Sequence, residues 1–135
     1  MLVESLKAVL ERTPGVRLAI LFGSWARDEA GPASDLDVAL WPQDGDLSLA
    51  AESSLQAELE RATGKPVDLV RLDRADTMVQ WRVARDGVLL QASTPVEFVR
   101  FRAAAASEHA DFAPAQRLAA RAYRRRLVAQ EKGSA

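Results

Sequence analysis

The chain has 135 residues, 48% of them hydrophobic, and a net charge of −1, which allows one domain with a modest core. It has no cysteine, excluding a disulfide framework and thiolate metal sites and making an intracellular location the simpler expectation. Its start mixes Glu4, Lys7 and Glu11 into an apolar helical pattern, which excludes a signal peptide or membrane span there and leaves the cytoplasm as the expected compartment.

Residues 2 to 12 predict a helix that ends at Thr13-Pro14-Gly15. Val16 to Phe22 alternates as a strand does, so Gly23 and Ser24 fall where a strand stops. Ser24 is a natural N-cap for a short helix from Trp25 to Ala30, whose free N–H groups would face an anion. After the Gly31-Pro32 break, a strand from Asp35 to Trp41 would send Asp35 and Asp37 to one face and Leu36, Val38 and Leu40 to the other. A second long helix, Leu47 to Ala62, starts after Asp44-Gly45-Asp46 and stops at Gly64. Pro66 to Val70 reads as a strand that carries Asp68 among apolar residues. Asp73 is placed to cap a helix from Ala75 to Arg85, which Gly87 ends before the strand Val88 to Gln91. Thr94, Pro95 and Glu97 together open a helix that reaches about Ala110, and Pro114 separates it from a tail helix. The expected fold class is α+β, a small mixed sheet of about four strands flanked by helices. It forms a single domain, with a core over 1–113 and a basic helix over 114–135 that packs on or extends it.

The acids carry the chemistry. Two carboxylates side by side repel, and unless a cation or proton lies between them one titrates far from its ordinary value. A divalent ion removes the conflict, and Mg²⁺ prefers hard oxygen donors such as these in a chain that offers no cysteine. If the strand bearing Asp68 lies beside the other two, the three acids could hold two ions roughly 3.5–4 Å apart for in-line phosphoryl chemistry.

Gly23-Ser24, ten residues and then Asp35-Leu36-Asp37, with the local spelling Gly23-Ser24-Trp25-Ala26-Arg27, resembles the signature of the DNA polymerase beta-like nucleotidyltransferases. The size is similar to that of their minimal members, the MntA-like antitoxins encoded beside HEPN-domain toxins. One departure is Asp28, where many relatives have glycine. The resemblance implies transfer of AMP from ATP, assisted by Mg²⁺, to a tyrosine hydroxyl of a cognate HEPN ribonuclease, which silences it. It implies that Gly23 and Ser24 meet the triphosphate and that Arg27 neutralises phosphate charge or else pairs with a nearby acid such as Glu29. Asp35 and Asp37 would share the metal ions, and Asp68 would hold the ion at the acceptor hydroxyl. A complex with the toxin follows, with no membrane partner and no nucleic-acid substrate.

Duller explanations compete. Asp35 and Asp37 could be a solvent-facing edge, and Asp68 could pair with Arg71. Trp25, Trp41 and Trp81 suit packing better than base stacking, and His109 is a lone imidazole. The charge is divided: residues 1–113 carry −6 and residues 114–135 carry +5. Arg117, Arg121, Arg124 and Arg125 adjoin a stripe of Leu118, Ala119, Ala122 and Tyr123, so the plain expectation is a stripe packed on the body with arginines in water. Docking onto an acidic partner or RNA is the sharper one. Two other functions stay open: nucleotidyl transfer to a small hydroxylated molecule such as an aminoglycoside, and neutralisation of the partner by sequestration alone.

Overall fold

The computed structural model describes residues 2–45 and 47–133, with the side chains of 45, 112–116 and 130–133 left aside. Asp46, assigned above to the loop before the second helix, lies outside the described residues. The elements are α1 Leu2–Glu11, β1 Val16–Phe22, β2 Leu36–Pro42, α2 Leu49–Thr63, β3 Val67–Arg71, α3 Thr77–Asp86, β4 Val88–Ala92 and α4 Pro95–Gly133. The strands form one mixed sheet in the order β3-β2-β1-β4. β1 pairs antiparallel with both β2 and β4, whereas β2 and β3 run parallel, their crossover provided by α2.

Both faces of the sheet are covered. On one, Leu6, Val9 and Leu10 of α1 and Leu55 and Leu59 of α2 pack on Ala19, Leu21, Leu36, Val38 and Leu40. On the other, Val83 and Ala84 of α3 and Phe101 and Ala105 of α4 pack on Leu18, Ile20 and Ala39. Leu6, Leu10, Leu36, Leu40 and Leu59 are fully enclosed, and each such side chain stabilises by about 1.5–3 kcal/mol. Exposed ion pairs such as Arg27–Glu29 contribute at most about 1 kcal/mol, so aliphatic burial holds the layers together.

The sheet explains where the acids sit. Asp37, Ala39 and Trp41 share the face covered by α3 and α4. Ala39 lies beneath those helices, but Asp37, two residues nearer the strand start, is only half-buried. The sequence reading of an apolar face opposite an open acidic face is therefore too simple, because β2 is covered on both faces and open only at one end.

Several local expectations change. The short helix from Trp25 to Ala30 does not form; residues 23–28 make a compact turn in which Arg27 N–H donates to Gly23 O and Glu29 N–H to Ser24 O. Asp28 is the reason, since its φ of 58° is left-handed and breaks helical geometry. Glycine adopts that conformation freely and Asp tolerates it, which gives a physical reason for the exchange at this position. α2 begins after Ser48, whose hydroxyl accepts from Ala51 N–H, and ends on left-handed Gly64. α3 is capped by Asp76, which accepts from Val79 N–H, not by Asp73. Asp73 instead accepts two hydrogen bonds from Arg71 at 2.9 and 2.8 Å. This contact holds the Asp73 carboxyl below its usual range. Finally, one continuous helix spans Pro95–Gly133, so Pro114 does not divide it.

Candidate functional site

β1 delivers Gly23 and β2 delivers Asp37 to one end of the sheet, where Phe22 and Asp37 are register partners. Gly23 has φ 75°, and a Cβ on it would overlap the Asp37 carboxylate, so glycine is required both for the turn and for the close approach. The turn consumes the N–H groups of Arg27, Asp28 and Glu29 and leaves those of Ser24, Trp25 and Ala26 out of its own bonds. Ser24 itself is half-buried beside this turn.

The parallel pairing of β2 with β3 sets Asp37 opposite Asp68. Both Asp68 and Asp35 are exposed and lie near enough to act on Asp37. The Asp37 carboxyl is pushed up by burial first, then by the negative charges of Asp68 and Asp35, while the Arg27 guanidinium opposes the rise. The structure thus gathers Gly23, Asp35, Asp37 and Asp68 at one place, with Arg27 alongside. The alternative partner for Asp68 is ruled out by strand parity. Arg71 is three residues on, faces the other way, and bonds to Asp73, Glu52 and Leu47 O.

Arg27 is forked between Glu29 at 3.1 Å and Asp86 at 3.9 Å. Glu29 was foreseeable as a local partner; Asp86, far along the chain, was not. Two further residues escaped the sequence reading of the loop between the motif halves. Trp25 Nε1 donates to Ser34 O at 3.1 Å, and Gly31 N–H donates to Ser34 Oγ, which closes the loop just before Asp35. Lys65 lies 4.9 Å from the Trp25 ring centre and donates to Pro32 O, bracing the same loop from the β3 side. Trp25 also packs against the α1/α2 core layer. His109 stacks on Trp81 with ring centres 4.5 Å apart.

The donor set suits a hard cation. Three carboxylates supply only oxygen, and their mutual repulsion at Asp37 is what a bound cation would relieve. Among the described residues, no group of three acidic, His or Cys side chains is drawn tight enough to hold a metal ion unaided. That openness is compatible with an ion that takes one or two carboxylates and completes its shell from substrate phosphates and water.

The family described as "Polymerase beta, Nucleotidyltransferase" matches residues 4–95, which include the turn, all three acids and the start of α4. The chain belongs to this nucleotidyltransferase family. A relative from Methanocaldococcus jannaschii that carries the name protein adenylyltransferase is 34% identical over 74 residues, covering 55% of this chain and 78% of its own. Among solved structures, a chain of a toxin–antitoxin complex with AMP-PNP superposes with a TM-score of 0.73 at 28% identity, covering 87% of the nucleotidyltransferase and 93% of that chain. A Shewanella oneidensis complex of a tri-AMPylated HEPN toxin with its MNT antitoxin gives 0.66 at 26% identity, covering 88% and 94%. The four-stranded mixed sheet with flanking helices is the architecture expected from the sequence. No helix among the described residues is long and apolar enough to cross a membrane.

Proposed function

We propose that this nucleotidyltransferase is the antitoxin of a HEPN-type pair, acting in the cytoplasm by transferring AMP from ATP to a tyrosine hydroxyl of its toxin. The observation that carries the reading is the convergence of Asp35, Asp37 and Asp68 against the Gly23 turn, in a chain whose structural relatives come from toxin–antitoxin complexes. In the reaction the acceptor oxygen bonds to the α-phosphorus as the bond to the pyrophosphate oxygen breaks, and the hydroxyl proton leaves to a base. Asp68, exposed on the strand beside Asp37, is the carboxylate assigned to the acceptor side, where it would help remove that proton. Gly23 lets backbone approach the phosphates, and Ser24 offers its hydroxyl and N–H to them. Arg27 supplies a positive charge next to Asp37. Asp35, Asp37 and Asp68 would hold Mg²⁺, which when bound neutralises phosphate charge and lowers the pKa of the attacking hydroxyl.

The test is direct. Purified protein with ATP, Mg²⁺ and the HEPN protein encoded beside it is expected to add one or more AMP units to that partner, read as mass shifts, at a tyrosine. A partner that stays unmodified while held in a tight complex would favour sequestration instead and overturn the enzymatic reading.

The same reading gives the tail a role. Leu118, Ala119, Ala122 and Tyr123, the stripe for which packing on the body is the plain expectation, are exposed, and Leu127 and Val128 beyond them are exposed too. Arg117, Arg121, Arg124, Arg125 and Arg126 are exposed around them. A basic helix with an uncovered apolar stripe, joined to an acidic body, suits an acidic, partly apolar surface of the toxin. Arg121→Glu with Arg125→Glu is expected to weaken toxin binding about tenfold or more, with a steep salt dependence, while the melting temperature stays within about 3 °C of the parent. Unchanged affinity measured by calorimetry would remove the tail from the interface.

A further inference from the structure

Asp86 ends α3, and the Gly87 that follows is wedged against β1. A Cβ at Gly87 would overlap both the Ile20 side chain and the Val83 carbonyl oxygen. This packing fixes the end of α3 beside the stretch of β1 that leads into the Gly23 turn. Asp86 is half-buried, with its side chain 19% exposed. Its carboxylate accepts from Arg85 at 3.1 and 2.8 Å and lies 3.9 Å from Arg27 Nη1. The other partner of Arg27, Glu29, is 64% exposed and belongs to the loop leading away from the turn.

The two tethers of Arg27 therefore differ. Glu29 makes the shorter contact, a 3.1 Å hydrogen bond, but from a solvated side chain on a loop, whereas Asp86, at 3.9 Å, is held by a helix end and by Arg85. Asp37 lies near enough to Arg27 to respond to the guanidinium charge. The geometry points to Asp86 as a positioning residue: its carboxylate, braced by Arg85 and the Gly87 wedge, keeps the Arg27 guanidinium at the acid cluster, ready for triphosphate oxygens. The inference rests on the reading of Arg27 as a phosphate contact. An arginine left to roam would lose side-chain freedom on binding nucleotide, and one already held loses less. Asp86 does this without cancelling the charge on Arg27, because Arg85 already offsets its own charge through two hydrogen bonds.

The experiment is a double-mutant cycle on the full chain, with AMP transfer to the partner protein and AMP-PNP affinity by calorimetry as the two readouts. Asp86→Asn is expected to raise the KM for ATP and the Kd for AMP-PNP about tenfold, with kcat changed less than about threefold. Asp86→Glu should restore most of that loss. In an Arg27→Gln background, Asp86→Asn should add less than about twofold. If Arg27→Gln weakens nucleotide binding and Asp86→Asn still adds its whole effect, Asp86 acts independently and the proposal is overturned while the role of Arg27 stands. If Arg27→Gln binds nucleotide normally, the proposal and the phosphate-contact reading fall together.

Discussion

Replacing Asp35→Ala together with Asp37→Ala is expected to abolish AMP transfer, by at least about a thousandfold, and yet to leave a protein at least as stable as the parent without metal. The first half follows from removing the carboxylates that would hold the ions at the triphosphate. The second follows from the cost of keeping Asp37 charged. Its carboxyl is raised by burial and by Asp68 and Asp35, so the unfolded chain, where it titrates near 3.8, gives up the proton more readily than the folded one. An acid raised in the folded state loses stability as pH climbs from the unfolded value through the folded one, and at neutral pH the whole deficit is present. Thermal melts in chelator should therefore place the double variant at or above the parent at pH 7, with the gap closing below about pH 4. Mg²⁺ with nucleotide should raise the melting temperature of the parent and leave that of the variant unmoved. A variant that melts well below the parent at pH 7 would mean the acids support the fold, and full activity would mean that the site lies elsewhere.

What could be read from the sequence is what short-range periodicity dictates. The alternation over Val16 to Phe22 marks a strand, which the structure then buries on both faces, and Leu36, Val38 and Leu40 fix the register that projects Asp37 toward the site. Asp68 stands out as a charge amid Val67, Leu69 and Val70; the structure leaves it exposed to solvent, and the parallel pairing of β2 and β3 sets it beside Asp37. What could not be read depends on competition between equivalent local signals or on distance. Asp73 and Asp76 are both able to cap α3; tertiary placement of Arg71 draws Asp73 away and leaves the cap to Asp76. Asp28 in a left-handed turn ends the helix that Ser24 would have started. Pro114 is ordinarily a helix breaker, but the alanine-rich surroundings of α4 carry the helix past one missing backbone bond. The pairing of Arg27 with Asp86 joins residues with no local signal between them, as does Lys65 with Trp25.

Gly23→Ala should cost AMP transfer far more than it costs stability, and Gly64→Ala shows why. Both glycines have left-handed φ, 75° and 70°, so both substitutions meet the same backbone penalty of about 1–2 kcal/mol. Around Gly64, nothing lies within 4 Å of the added carbon, and the cost ends there. At Gly23 the methyl overlaps the Asp37 carboxylate, which must either swing away from β1, toward Asp68 on the opposite neighbouring strand, or push the turn outward. Either response separates the backbone proposed to meet the phosphates from Asp37, and displacements near 1 Å in a reacting centre lower rates by about a hundredfold. The expected outcome is that the two variants lose similar stability in denaturant melts, within about 1 kcal/mol of each other, while only Gly23→Ala loses AMP transfer, by about a hundredfold or more. Equal activities for the two would mean that the turn does not approach the reacting phosphates, because the methyl would then have displaced only a carboxylate that the chemistry does not use.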